Sequence, residues 1–97
     1  MTDSLSRLQS WYQRQCNGDW EHQYGIRLET LDNPGWGLAI DLRGTTWEGQ
    51  TFFGQKMEGD QHWYHCHVKD EQFLAACGPE DLEVVLRIFL SWVAPTT

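Results

Sequence analysis

The sequence predicts an α+β fold: an antiparallel sheet of four or five strands flanked by an N-terminal and a C-terminal helix, a two-layer sandwich formed by residues 1–97 as a single domain. Three observations predict it. Apolar residues recur at helical spacing near both ends of the chain and alternate at period two between them. Turn-forming residues divide the alternating middle into short segments. A length of 97 residues fits one domain and leaves no room for two.

Residues 3–16 form the first helix. Asp3 or Ser4 caps it, and Leu5, Leu8, Trp11 or Tyr12, and Cys16 fall on one side. Asn17-Gly18 ends it, because both residues tolerate the left-handed conformation found past helix termini. Residues 24–31 and 36–42 form a hairpin. Trp36, Leu38, Ile40 and Leu42 point one way and Gly37, Ala39, Asp41 and Arg43 the other, while Tyr24, Ile26, Leu28 and Thr30 oppose Arg27 and Glu29. Such alternation gives one covered face and one wetter face. Between the strands, Asn33-Pro34-Gly35-Trp36 describes a type II turn, with proline and glycine in the central positions.

Residues 50–57 and 61–68 form a second hairpin around Gly59-Asp60, and 72–77 supply a short fifth strand. Gly78-Pro79-Glu80-Asp81 opens the final helix, residues 80–94, with its acids at the positive end of the helix dipole. Leu82, Val85, Leu86, Phe89 and Val93 make its buried stripe. Val84, Ile88, Leu90 and Trp92 widen that stripe and leave Glu83, Arg87 and Ser91 as a narrow polar line. A helix so broadly apolar needs cover on more than one side, here from the sheet and the first helix.

The composition narrows the function. Acids number 14 and bases 7, for a formal charge of −7, and the bases are scattered singly. Nucleic acid and anionic membranes call for a basic patch, so the charge argues against both and favours a basic protein partner. With 6 Trp, 4 Phe and 3 Tyr, the chain holds more rings than one small core needs, and some reach the surface as interface anchors. Cys16, Cys66 and Cys77 do not all pair within one chain and show no Cys-x-x-Cys spacing, as expected of reduced thiols in a cytoplasmic protein. Met1-Thr2-Asp3-Ser4 lacks the start of a secretory leader, and Val84–Val93 is too short to span a bilayer.

Four features are candidate sites. His62, His65, Cys66 and His67 form the one cluster with metal-like chemistry. On a strand His65 and His67 project from one face about 7 Å apart, enough for two ligands to zinc or iron. Glu29 and Asp41 are the candidates to complete that site, and the plain alternative is a solvated face. A thiol nucleophile paired with His65 needs an electropositive setting, which an acidic chain with apolar neighbours around its cysteines does not offer. No phosphate loop, nucleophile elbow or zinc-protease helix occurs. The run Asn17-Gly18-Asp19-Trp20-Glu21-His22 sets acids around a tryptophan. It reads either as a binding loop, with Asp19, Trp20, Glu21 and His22 meeting a partner, or as Trp20 folding back over the sheet edge. Finally Glu48, Glu58, Asp60, Asp70 and Glu71 crowd the loops after the first hairpin. They form one acidic rim if those loops converge at one end of the sheet, and Asp41 is a further candidate for partner contact.

A resemblance then emerges. Leu8-Gln9 with Trp11-Tyr12, Gln15-Cys16-Asn17-Gly18-Asp19-Trp20-Glu21-His22, Tyr24-Gly25-Ile26, Thr30-Leu31-Asp32-Asn33-Pro34-Gly35-Trp36 and Ile40-Asp41-Leu42 resemble the immunity protein 53 family of bacterial polymorphic toxin systems. The likeness continues through Trp63, Cys66, Val68-Lys69-Asp70, Gly78-Pro79 and the Leu-rich final helix. It departs at Asn17, where an aspartate is common. The resemblance implies protection of the producing cell, or its kin, from a cognate toxin, and carries over no catalytic residue. The expectation is a non-enzymatic protein without cofactor, monomeric or weakly dimeric, that binds a basic, nuclease-type toxin. The competing expectation is a small metal-dependent enzyme or metal-binding domain built on His65 and His67.

Overall fold

Residues 3–94 are described by a computed structural model. The first helix, α1 (Ser4–Gln15), starts where Asp3 accepts the Ser6 N–H at 2.8 Å. Its inward face is Ser4, Leu8 and Trp11. Leu5, expected inside, is 60% exposed. Ser4 takes the place beside the last helix instead, and its hydroxyl donates to Glu83 at 2.7 Å. A short helix that periodicity did not reveal, α2 (Trp20–Gln23), follows the left-handed Gly18.

The sheet strands are β1 (Ile26–Leu31), β2 (Gly35–Asp41), β3 (Gln55–Glu58), β4 (Trp63–Lys69) and β5 (Gln72–Cys77). They are antiparallel throughout, in the spatial order β1-β2-β5-β4-β3. The last helix is α3 (Leu82–Val93). The expected α+β architecture is therefore present, with both long helices on one face of an open five-stranded sheet. Among the described residues no helix is long and apolar enough to cross a membrane.

Registers define the two faces. Trp36, Leu38 and Ile40 of β2, Phe73, Ala75 and Cys77 of β5, and Tyr64, Cys66 and Val68 of β4 stand on the helix side. Gly37, Ala39, Leu74, Ala76, His65 and His67 stand on the open side. The core is a run of ring contacts. Trp11 meets Phe89 edge-on at 5.0 Å, Phe89 meets Phe73 at 5.1 Å, and Phe73 meets Phe52 at 5.3 Å. Phe52 then reaches Trp92 at 5.1 Å, and Trp92 reaches Trp47 at 4.9 Å. Val85, Leu86, Leu90 and Val93 fill the remainder of the α3 interface. Glu83 and Arg87 pair at 2.8 Å on its polar line, as the spacing predicts.

Three local expectations are corrected. The Asn33–Pro34 peptide is cis, and Gly35 is a strand residue without positive φ, so the turn is not type II. The glycine is needed there for closeness: a Cβ at Gly35 would collide with the Cys77 carbonyl. Residues 50–54 lie outside the sheet. They cross the end of α3, where the Trp92 indole donates to the Thr51 carbonyl at 3.1 Å, and β3 starts only at Gln55. The β4–β5 turn is Asp70-Glu71, with φ of 53° and 58°. This left-handed pair matches the twist of a tight hairpin, yet neither residue is a glycine.

Two stability outcomes follow. Phe89→Ala, at the centre of the ring contacts, lowers unfolding stability by about 3–5 kcal/mol in urea titration. Asp70→Gly raises it by about 0.5–1 kcal/mol, relief of left-handed strain less the entropy of glycine.

Candidate functional site

The chain from α1 to β1 is held by side chains that take backbone donors. Asn17 Oδ1 accepts the N–H groups of Asp19 and Trp20 at 3.0 and 2.9 Å. The Glu21 carboxylate reaches back to the N–H groups of Asn17 and Gly18 at 3.0 and 2.8 Å. Its own backbone N–H, joined by those two and opposed by burial, holds the Glu21 carboxyl below the usual glutamate range. Trp20 is 4% exposed. It packs on Trp11, Tyr12 and Tyr24, and its indole donates to the Arg43 carbonyl at 2.7 Å. Its side chain is a core plug that ties α2 to the end of β2 and presents almost no surface to a partner. Asp19, which accepts only from Gln23 at 3.4 Å, and His22 are exposed beside it.

The same end of the sheet collects most of the predicted acids. Asp41 ends β2 beside Gln72, the first residue of β5, and Asp70-Glu71 turns next to it. Asp41 accepts from the Gly25 N–H and the Gln72 amide, both at 2.9 Å. Glu48 accepts the Gly44 N–H at 3.0 Å, and Glu71 accepts the Gly49 N–H at 2.8 Å. These carboxylates staple loops while keeping their charge near water. Glu58 and Asp60 do not join them. β4 runs the length of the sheet, so its turn to β3 and its turn to β5 lie at opposite ends. The expected single rim is thus divided: Glu48, Asp70 and Glu71 lie at one end, with Asp19, Glu21 and Asp41, and Glu58 and Asp60 lie at the other.

His65 and His67 do share the open face, with rings 6.4 Å apart, and Trp63 continues the ladder at 5.9 Å from His65. The two acids expected to complete a metal site are elsewhere. Glu29 shares a row with His65 but lies three strands away, about 14 Å at the usual strand spacing. Asp41 is engaged by Gly25 and Gln72. Among the described residues no group of three or more His, Cys, Asp or Glu is placed to hold a metal ion.

All three cysteines are free. Burial, with Cys77 nearby, pushes the Cys66 thiol up to about 12, and burial together with Asp81 raises Cys77. Thiols held protonated in this way are poor nucleophiles at neutral pH.

Sequence reasoning missed two features. Asp81 is a buried carboxylate that accepts the Trp63 N–H at 3.1 Å and contacts His62 Nδ1 at 2.8 Å, fastening β4 to the start of α3. Its partners are 18 and 19 residues away, beyond any local pattern. The second feature is an apolar groove of about 560 Å³ between α3 and the segment entering β3, walled by Phe52, Tyr64, Val84, Ile88 and Trp92. Phe53 stands at its edge, 83% exposed. The surplus apolar residues of α3 were the legible signal of that groove.

Cysteine reagents should discriminate these environments. In the native protein at pH 8, Cys16 reacts and Cys66 and Cys77 do not; all three react in denaturant. Because the Cys66 pKa is raised on folding, its contribution to stability is complete below about pH 9. It is lost progressively as the pH climbs towards 12, where the unfolded chain has already released the proton. Urea midpoints therefore fall above pH 9, and less steeply in Cys66→Ala.

A family model described as immunity protein 53 matches residues 5–94. No curated protein and no solved structure matches the chain.

Proposed function

The chain belongs to the immunity protein 53 family, and on that premise we propose that it neutralises its toxin by direct, stoichiometric binding in the cytoplasm. Family membership makes it an immunity protein against a toxin. The binding mode rests on one observation above the rest: Asp19, Glu21, Asp41, Glu48, Asp70 and Glu71 lie at one end of the sheet in a chain of net charge −7. Four of these six carboxylates are fixed by backbone N–H groups. A charged surface held in one arrangement loses little freedom on docking, and its field draws in a basic partner.

The partner that fits is a toxin with a basic, phosphate-binding cleft, as in nucleases. Inhibition by occupancy asks for no catalytic group and no cofactor. A standard interface takes about 800 Å² from each partner, a small share of the 6518 Å² that this chain exposes. No observation favours the metal-dependent alternative.

Co-expression with the toxin encoded beside this gene tests the proposal. Cells survive with this protein and die without it, and the purified pair forms a one-to-one complex. Survival without complex formation would overturn the mechanism. Charge steering has its own readout: the association rate falls as salt rises. The double change Asp19→Asn, Asp70→Asn, at two acids that hold no backbone N–H, lowers that rate by about threefold to tenfold at low salt and leaves the melting temperature nearly unchanged. A rate indifferent to both salt and the substitutions removes the acidic end from the interface.

A further inference from the structure

β1 is a long edge strand whose only protection is one pair of opposite charges, Arg27 and Glu29. Sheet edges that stay single are shortened, bulged or loaded with lysine. The other edge, β3, is treated in that way: it has four residues, and its Lys56 is paired with its own Glu58 at 3.1 Å. β1 has six residues, runs in unbroken register against β2, and contains neither lysine nor proline. Among the described residues its outer side pairs with no strand.

The direction of its backbone groups is fixed by its neighbour. The Gly25 carbonyl accepts the Asp41 N–H at 3.0 Å and so faces β2. Alternate residues of an antiparallel strand turn both polar groups to the same side. Arg27, Glu29 and Leu31 therefore bond β2, while Ile26, Leu28 and Thr30 offer their N–H and C=O groups outward.

Side chains on this edge are self-complementary. Arg27 and Glu29 flank Leu28 on the open face, exposed. Neither joins the ion pairs found among the described residues, Lys56–Glu58, His62–Asp81 and Glu83–Arg87. On the helix side Leu28 is 47% exposed, and Leu5 and Tyr12 of α1 are 60% and 39% exposed. A groove of about 340 Å³ between α1 and β1, lined by Leu8, Gln9, Tyr12, Gly25 and Ile26, continues this apolar strip.

We propose that β1 pairs antiparallel with β1 of a second copy of the chain, about a two-fold axis at Leu28, joining two five-stranded sheets into one of ten. In that register Arg27 lies opposite Glu29 of the second copy, and the reverse, so both charges gain a partner. Ile26 and Thr30 exchange main-chain hydrogen bonds, as do the two Leu28 residues, and the α1 strip is covered from both sides. A two-fold contact requires a surface that complements itself, and Arg-Leu-Glu on an open edge does so. The inference stands independently of toxin binding.

Sedimentation velocity of the purified chain, from micromolar to millimolar concentration, tests it. The apparent mass climbs from one chain to two. Arg27→Glu and Glu29→Arg each set like charges face to face and weaken self-association by about tenfold or more, whereas the double reversal Arg27→Glu, Glu29→Arg restores it. Unchanged melting of each variant at low concentration confirms folding. A single-chain mass at every concentration overturns the proposal, as does a dimer indifferent to the single reversals or a double reversal no better than either. A monomeric wild type whose protection from toxin is lost in Arg27→Glu also overturns it, and gives this edge to the toxin.

Discussion

Continuous ring-to-ring contact is the constraint on which the rest of this structure depends. From Tyr24 through Trp20, Trp11, Phe89, Phe73, Phe52 and Trp92 to Trp47, aromatic side chains from both long helices, α2, β5 and the long loop touch in sequence. Most meet edge-on, the arrangement that the ring quadrupole favours. A domain of this size buries too little surface to tolerate a loose core. Large rings answer that shortage, since each removes roughly 150–250 Å² from water. They also join loops to the core, which aliphatic side chains reach less well. Trp20 and Trp92 each add an indole hydrogen bond to a loop carbonyl, so the same rings that fill the interior set the paths of residues 43–44 and 51–52.

That arrangement explains how an acidic surface is kept in shape. Loops of this length ordinarily satisfy their backbone with water and move. Here Glu21, Asp41, Glu48 and Glu71 take backbone N–H groups that would otherwise be solvated. Each carboxylate is an internal acceptor whose charge stays at least partly open to solvent: Glu48 is exposed, and Glu21, Asp41 and Glu71 are half-buried. Structural and recognition roles are often read as rivals for a residue. At this end of the sheet a structural role leaves the charge available to a partner, because a carboxylate has more acceptor sites than one hydrogen bond uses.

Much of the fold was legible because it is written in periodicity. The alternation of Trp36, Leu38 and Ile40 against Gly37, Ala39 and Asp41 fixes which side of β2 is covered, and the broad apolar surface of α3 announces cover from two directions. What stayed hidden depends on partners far along the chain. Leu5 and Ser4 are neighbours in the same turn, and Ser4, the one that goes inward with Leu8 and Trp11, bonds Glu83 on another helix. Gly35 reads as a turn glycine until the Cys77 carbonyl is beside it. The acids of the candidate site were identified by type, but their division between two ends follows from strand direction, which composition does not carry. Trp20 stood between two readings because a loop tryptophan serves equally as anchor or as plug, and its packing on Trp11 placed it in the core.

The position of β5 carries a consequence for biosynthesis. It is the central strand, hydrogen-bonded to both β2 and β4, yet it is the last of the five to leave the ribosome. Until then β2 and β4 lack the partner of their inner edges, and α3 has not yet been translated to cover their apolar sides. Such long-range closure is slow relative to local pairing, and uncovered edges invite aggregation. A chain broken off before Cys77 therefore lacks both the strand that joins the two halves of the sheet and the helix that covers it.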